Sequence, residues 1–287
     1  RNYRDIVRLY LSPIKNSKLS DITRADVKAI HSKATKKSDF QADRAATLIS
    51  SVLSFATDLE LYQGVNPASR IQKNPSVSRD RFVQAKELPY LFAAIAESNL
   101  CDFFLLALLT GARRSNVQAM AWRDIDLEAG IWRIELTKNG TPQSVTLSPE
   151  AITILTERKR TTESSYYVFP GSGKTGHIVE PKKSWATILI RSSMHRLLDH
   201  LQASGAMSQK DRDIANDLLT SAPAKAETQY LAIAEAMEID PTSYDMTDLR
   251  IHDLRRTLGS WQAKTGASLA IIGKSLTPTS HHPTAVY

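Results

Sequence analysis

The stretch Ile251–Gly266, IHDLRRTLGSWQAKTG, constrains the fold of this chain more than any other. Leu254, Leu258 and Trp261 recur at the spacing of one helix face, and a helix would gather them into a buried stripe. Gly266 can end that helix, because glycine readily adopts the left-handed conformation found at helix C-termini. The stretch therefore predicts an amphipathic helix that packs on a larger core.

Two polar residues of this predicted helix indicate a chemical role. His252 and Arg255 are three positions apart, so a helix places both on one face. Histidine exchanges protons near neutral pH, and arginine carries five N–H donors in a rigid fork. A phosphodiester under attack needs both, since its non-bridging oxygens gain charge while a proton moves nearby. The alternative is a partly buried helix start with ordinary surface charges, and this stretch alone leaves both interpretations open.

Composition excludes several classes of protein. The chain has 287 residues, of which 42% are apolar, enough for two domains with packed cores. No apolar run is long enough for a membrane span and no signal peptide opens the chain, so we expect no membrane partner. Cys101 is the single cysteine, which excludes internal disulfides and cysteine-rich metal sites and fits a reducing cytosol. The chain begins with Arg1 rather than Met, so we expect a fragment or a processed product.

Charge is distributed unevenly along the chain. The total is 37 Lys and Arg against 30 Asp and Glu, a net charge of +7. Residues 1–75 hold 13 basic and 7 acidic side chains, a balance of +6, whereas residues 193–245 hold 4 basic and 9 acidic ones, a balance of −5. The positive balance of the first segment favours contact with nucleic acid, and the negative balance of the second segment disfavours it.

Residues 1–75 predict a small helical DNA-binding domain, and a linker with Pro67 and Pro75 extends from Asn66 to about Arg81. Its strongest helical pattern runs from Ala42 to Tyr62. We expect a loop over residues 31–40 that carries three lysines; the alternative of a merely solvated charged loop has equal weight. The candidate DNA contacts of this domain are Lys33, Lys36, Lys37 and Arg44.

Residues 82–287 predict a second domain. An apolar helix over Asp102–Leu109 leads into Thr110-Gly111-Ala112-Arg113, where Arg113 can be aimed into a cleft or lie on the surface. Two alternating segments, Ile131–Leu136 and Ser144–Leu147, flank an Asn-Gly turn and predict a β-hairpin with Lys138 at its tip. Lys138 could equally be a solvated turn lysine.

The sequence predicts neither a cofactor nor a metal ion. The loop VFPGSGKTG resembles a phosphate-binding loop, but Val168 occupies the position of its first glycine. His281 and His282 are adjacent and lack a nearby carboxylate or cysteine, which is weak evidence for a metal site.

Taken together, these motifs resemble those of the tyrosine recombinase family, in particular the phage-type integrases. Thr110–Arg113 matches its T-G-x-R box, and His252 with Arg255 matches its H-x-x-R box. Lys138 matches the family's hairpin lysine, and Tyr287, 32 positions after Arg255, falls where the nucleophilic tyrosine is expected. The resemblance extends in architecture over the whole chain. It implies a mainly α fold with a small antiparallel β-sheet (α+β), built from a helical core-binding domain and a tyrosine-recombinase catalytic domain.

The resemblance implies a site-specific DNA recombinase that cuts and rejoins strands through a 3′-phosphotyrosine, for integration or excision of a mobile element. Tyr287 would be the nucleophile, and Arg113 and Arg255 would hold the non-bridging oxygens. Lys138 would be the general acid and His252 would assist proton transfer. The implied partners are double-stranded attachment sites and three further copies in a homotetramer on DNA. The implied location is the cytoplasm of a bacterium, on chromosomal DNA.

Two features depart from the family pattern. Pro278 stands nine residues before Tyr287, where the family usually has a histidine, and proline offers no side-chain donor. The alternative function is therefore a DNA-binding protein with the recombinase fold and impaired or absent catalysis. A type IB topoisomerase shares the chemistry, but the small helical domain fits an integrase better. The second departure is residues 193–245, an inserted helical segment that we interpret as a tolerated insertion rather than a surface for a protein partner.

Overall fold

The computed structural model describes residues 2–75, 79–135, 142–162 and 164–265. Lys138, Pro278 and Tyr287 lie outside these ranges. The chain divides between Arg79 and Asp80 into two compact units. The described helices of the first unit are α1 (Asn2–Tyr10), α2 (Arg24–Thr35) and α3 (Asp39–Asp58), with 3-10 turns at Ser12–Ile14 and Leu19–Asp21.

The helices of the first unit begin at residues that cap them. Thr23 and Asp26 form a reciprocal capping box at the start of α2, and the Ser38 hydroxyl accepts from the Gln41 amide at the start of α3. The loop expected over residues 31–40 is therefore wrong, because only Lys36–Ser38 separates the two helices. Lysines do not end a helix, and near its C-terminus they interact favourably with the helix dipole.

Residues 66–74, part of the expected linker, are bound to the first unit. Asn66 Nδ2 donates to the carbonyl oxygen of Ser50 at 2.9 Å. Arg24 Nη1 donates to the carbonyl oxygen of Ser69 at 2.7 Å. The amide of Asn74 donates to Asp43 Oδ1 at 3.1 Å, and that same oxygen lies 2.8 Å from His31 Nε2. The segment that connects the two units is thus shorter than the composition indicated.

The second unit is mainly helical with a small antiparallel sheet, which confirms the predicted fold class. Its described helices are α4 (Leu88–Ala96), α5 (Cys101–Thr110), α6 (Arg114–Gln118), α7 (Pro149–Thr162), α8 (Lys182–Ala203), α9 (Gln209–Ser221), α10 (Pro223–Ala236) and α11 (Ile251–Lys264), with 3-10 turns at Trp122–Asp124 and Pro241–Tyr244. Its described strands are β1 (Ile125–Asp126), β2 (Ile131–Ile134) and β3 (Gln143–Thr146), in the order β1-β2-β3. None of the helices within the described ranges has the length and apolar character needed to cross a membrane.

The core of the second unit is built around α5. Phe103 and Phe104 are fully buried, and Phe104 packs on the Trp185 ring with centroids 5.2 Å apart. The sheet covers another part of this core: Trp132 and Val145 face each other across β2 and β3 and are both buried, whereas Arg133 is exposed. The same alternation of apolar and polar residues in the sequence predicted the two strands of the hairpin.

Residues 193–245, which we interpreted as an insertion, share a helix with the rest of the second unit. The insertion was expected to begin at residue 193, but α8 runs through that position and continues to Ala203. Leu197, Leu198 and Leu201 continue its apolar face and are buried against α9 and α10 in a separate apolar cluster. These leucines extend the apolar stripe of α8 without a break, so the helix does not end where the insertion was expected to begin.

Candidate active site

Arg113 lies in the short connection between α5 and α6. The predicted apolar helix ends as expected in a glycine turn, with Gly111 in the left-handed conformation at φ 56°. Arg113 then adopts an extended conformation as the N-cap of α6, with its side chain partly exposed. No residue in the described ranges makes a hydrogen bond or an ion pair with its guanidinium. Among the described residues, nothing therefore competes with a ligand for its donors.

Arg255 joins the two sequence boxes in space. Its Nη1 donates to the carbonyl oxygen of Gly111, a residue 144 positions away in the sequence. Helices α5 and α11 pack against each other, and the C-terminal end of α5, with its unpaired carbonyls, attracts the guanidinium. Gly111 lies two residues before Arg113 in the sequence, so this contact joins the box that contains Arg255 to the box that contains Arg113.

His252 lies in the first turn of α11, close to this pair of arginines. Its ring is exposed, yet surrounding protein atoms reduce its hydration, and this desolvation is the main reason that its pKa is lowered from 6.5. The positive charges of Arg255, Arg256 and Arg113 lower the pKa further, and the negative charge of Asp253 opposes them. The ring is therefore mostly neutral at pH 7.

Asp253 is a residue of this site that the sequence interpretation missed. Its side chain is 1% exposed. Its Oδ2 accepts from the Arg250 amide at 2.9 Å, and its Oδ1 accepts from Arg256 Nη1 at 3.2 Å. The signal was an acidic residue in the first turn of a helix, where a carboxylate can cap a free amide.

Thr257 links α11 to Val83, near the start of the second unit. Its hydroxyl donates to the carbonyl oxygen of Asp253 at 2.8 Å and accepts from the Val83 amide at 2.9 Å, and both contacts are buried. The predicted stripe is only partly right: Leu254 is buried, whereas Leu258 and Trp261 are partly exposed. The buried face instead includes Thr257, whose hydroxyl contacts Val83.

The charges of these residues make a site for an anion. Arg256 is neutralised by Asp253 at 3.2 Å, whereas Arg113 and Arg255 stand beside a mostly neutral histidine. Two guanidinium groups with fork geometry can bind the non-bridging oxygens of one phosphate. No group of three or more His, Cys, Asp or Glu side chains within the described ranges is arranged to hold a metal ion. Lys138 and Tyr287, predicted as parts of this site, lie outside those ranges.

The candidate DNA contacts of the first unit lie on its surface. Lys33 is in the last turn of α2, and Lys36 and Lys37 follow in the turn before α3; all three are exposed. Arg44 is partly buried in α3, where its guanidinium lies 5.3 Å from the centre of the Phe40 ring. The ring is close enough for a cation–π contact with the arginine.

Comparison with known proteins identifies the family. The model of the phage integrase family matches residues 81–287, which include the joined boxes at Arg113 and Arg255. The chain belongs to the phage integrase family.

Two sequence relatives come from Escherichia coli. The prophage integrase IntF of strain K12 is 23% identical over 205 residues, which are 66% of this chain and 44% of that protein. The shufflon-specific DNA recombinase is 38% identical over 90 residues, which are 30% of this chain and 23% of that protein.

Solved structures share the integrase fold. A lambda integrase fragment, residues 75–356, solved as a dimer bound to a COC′ core site, superposes with a TM-score of 0.61 at 16% identity over 99% of this chain and 88% of that one. The Tn1549 transposon integrase, residues 82–397 in complex with circular intermediate DNA, has a TM-score of 0.61 at 9% identity over 97% and 85% of the two chains. This chain therefore spans less than half of each sequence relative but most of the solved integrase fragments.

Proposed function

We propose that this protein is a site-specific DNA recombinase that cleaves and rejoins DNA strands for the integration or excision of a mobile element. The observation that carries the proposal is the hydrogen bond between Arg255 and Gly111. It brings the T-G-A-R box and the H-D-L-R-R box of a phage integrase family member into one cationic site. That site has the charge and the donors that a scissile phosphate requires.

The proposed reaction begins with attack of the Tyr287 hydroxyl oxygen on the scissile phosphorus. Arg113 and Arg255 hold the non-bridging oxygens, which gain negative charge in the transition state. The bond to the 5′ oxygen breaks, and Lys138 donates a proton to that leaving oxygen. His252, kept neutral by its lowered pKa, can accept the proton that the tyrosine releases. The phosphotyrosine retains the energy of the broken bond, so rejoining draws on neither ATP nor a metal ion.

The proposed substrate is a double-stranded attachment site. Rejoining to another strand requires two sites held together, and the solved lambda integrase structures include a tetramer bound to a Holliday junction. Because rejoining requires two sites and the related lambda integrase forms a tetramer on a junction, we propose that this protein also acts as a homotetramer. The basic surface of the first unit, with Lys33, Lys36, Lys37 and Arg44, would contact phosphates of the same duplex. The reaction on chromosomal DNA would take place in the cytoplasm.

The test is covalent trapping on a suicide duplex that carries a nick near the cleavage point. The wild-type chain should give a protein–DNA adduct on a denaturing gel. Tyr287→Phe lacks the nucleophilic oxygen and should bind the duplex equally well without forming the adduct. An adduct from Tyr287→Phe would contradict the nucleophile assignment. Full binding without an adduct from the wild type or from Pro278→His would favour the binding-only function.

A further inference from the structure

The first residues of the catalytic unit run along the helix that carries His252 and Arg255. We call Arg81–Val83 the entry segment, because it begins two residues after the first unit ends at Arg79. The Val83 amide donates to Thr257 Oγ1 in the middle of α11 at 2.9 Å. Lys264, at the end of α11, lies 5.6 Å from the centre of the Phe82 ring.

Arg81 extends this attachment to the segment that leads into α11. Its Nε donates to both carboxylate oxygens of Asp248, at 3.0 and 3.2 Å. Its Nη1 and Nη2 donate to the two oxygens of Glu87 at 2.8 and 2.9 Å. Asp248 lies two residues before Arg250, the N-cap of α11. The guanidinium therefore joins the entry segment to the start of the active-site helix.

Glu87 makes this contact rigid. It is 5% exposed and also accepts from the Gln84 amide at 2.8 Å. A bidentate arginine–carboxylate pair fixes the plane of the guanidinium, so Nε can hold Asp248 in only one direction. A lysine at position 81 has no planar fork and cannot bind both carboxylates in this way.

We infer that Arg81 is a positioning residue for strand cleavage, which holds the N-terminus of α11 so that His252 and Arg255 face the phosphate bound by Arg113. This inference rests on the proposed function. Arg81 acts through Asp248 and does not touch the substrate.

The informative variant is Asp248→Asn, which weakens the attachment to α11 but leaves the Arg81–Glu87 pair intact. Its matched control is Asp102→Asn, since Asp102 Oδ2 accepts from Arg158 Nη1 at 2.8 Å and the two aspartate side chains are similarly exposed, at 39% and 49%. Single-turnover cleavage of the suicide duplex is measured at saturating protein, together with duplex affinity and thermal unfolding.

A shift of catalytic groups by about 1 Å can cost about 100-fold in rate, so the cleavage rate constant of Asp248→Asn and Arg81→Lys should fall by about 10-fold to 100-fold. Their duplex affinity and reaction amplitude should stay within about twofold of the wild type, and Asp102→Asn should keep the wild-type rate constant. A purely stabilising ion pair would lower the amplitude through unfolding and leave the rate constant unchanged. An unchanged rate constant in Asp248→Asn, or an equal loss in Asp102→Asn, would overturn the inference.

Hydrogen exchange of the intact chain separates this inference from the proposed function. Asp248→Asn should raise amide exchange over residues 249–256 and leave α5 unchanged. If the wild type forms no adduct, the proposed function fails, and exchange alone decides whether Arg81 positions α11. Equal exchange in the variant and the wild type would then overturn the positioning role.

Discussion

At the scale of single residues, Arg113 and Arg255 have different roles. Arg255 is part of the architecture, since it donates to Gly111 at the end of α5. Arg113 makes no hydrogen bond or ion pair within the described residues. Removing Arg113 should therefore affect a ligand alone, whereas removing Arg255 should affect both the ligand and the fold.

We expect Arg113→Ala to lower the cleavage rate by about 100-fold to 1,000-fold, the usual loss when one donor to a developing oxyanion is removed. Its Tm should stay at the wild-type value. Arg255→Ala should lose a similar factor in rate, and its Tm should also fall by about 2–4 °C, corresponding to about 1 kcal/mol for one hydrogen bond. Single-turnover kinetics and calorimetry measure the two effects. An equal drop in Tm for both variants would contradict this division of roles.

His252 predicts a pH dependence of DNA affinity. Its pKa is lowered in the free protein by desolvation and by neighbouring arginines, and a bound phosphate adds negative charge that raises the pKa in the complex. Binding then takes up a proton. The affinity should rise as pH falls through the pKa of the complex and level off below the lowered pKa of the free protein.

Fluorescence anisotropy with a core-site duplex between about pH 5 and pH 8 measures this effect, since the ordinary pKa of a histidine side chain is about 6.5. His252→Gln should lose the component that depends on this ring and keep the remaining dependence. An identical pH profile for both proteins would show that the phosphate does not approach His252.

At the scale of elements, the polar contacts of two buried residues hold α11 in place. Asp253 caps the Arg250 amide and pairs with Arg256. Thr257 links the helix to Val83. These contacts set where the helix begins and how it is rotated, and therefore where His252 and Arg255 lie.

We expect Asp253→Asn to lower the free energy of unfolding by about 1–3 kcal/mol, because an amide of the same shape cannot neutralise Arg256 and one of its orientations opposes the Arg250 amide. Urea unfolding at pH 7 measures the change. Asp240→Asn is the control, because Asp240 also caps a turn by accepting from the Thr242 amide but does so on the exposed surface. The control should be destabilised less, and equal effects would argue against a special role for the buried carboxylate.

At the scale of the whole molecule, helices α9 and α10, which we interpreted as an insertion, are integrated into the second unit. Arg191 on α8 is buried and donates to the carbonyl oxygens of Leu219 and Thr220 at the end of α9, at 3.2 and 3.0 Å. It also donates to the carbonyl oxygen of Glu97, next to α4, at 3.2 Å. The segment is therefore part of the packing around α8.

Replacing residues 205–239 by a short Gly-Ser loop should lower the Tm, because it exposes Leu197 and Leu198 and removes two acceptors of Arg191. The duplex affinity of the folded protein should not fall, since residues 193–245 carry a balance of −5 and repel phosphate. Calorimetry and anisotropy on one preparation measure both quantities. A loss of affinity with an unchanged Tm would show that the segment contacts DNA or a partner bound to it.

The basic surface of the first unit predicts the salt dependence of binding. If Lys36 and Lys37 contact phosphates, Lys36→Gln/Lys37→Gln should reduce the slope of log affinity against log salt by about 0.9 for each phosphate that is no longer neutralised. Lys15→Gln/Lys18→Gln is the control, since it removes the same charge from exposed positions of the same unit. Equal slopes in the two double variants would show that Lys36 and Lys37 act only through net charge.

The sequence alone predicted the elements that depend on local pattern. The apolar helix before Gly111 and the paired strands on either side of Lys138 follow from periodicity and turn residues. The order and spacing of the T-G-A-R and H-D-L-R-R boxes were enough to indicate the family. Lys138, Pro278 and Tyr287 remain predictions, because they lie outside the described residues.

Tertiary packing determines the contacts and the burial that local sequence patterns do not specify. Arg255 reaches Gly111 only because α5 and α11 pack together across 144 positions of sequence. Helix α8 passes Ser192 because α9 and α10 bury the leucines that follow. Asp253 looks like a surface acid in the sequence, yet only 1% of it is exposed in the folded unit. Local spacing determines which side chains share a face, whereas the packing of distant elements determines which faces meet and which charges lose their water.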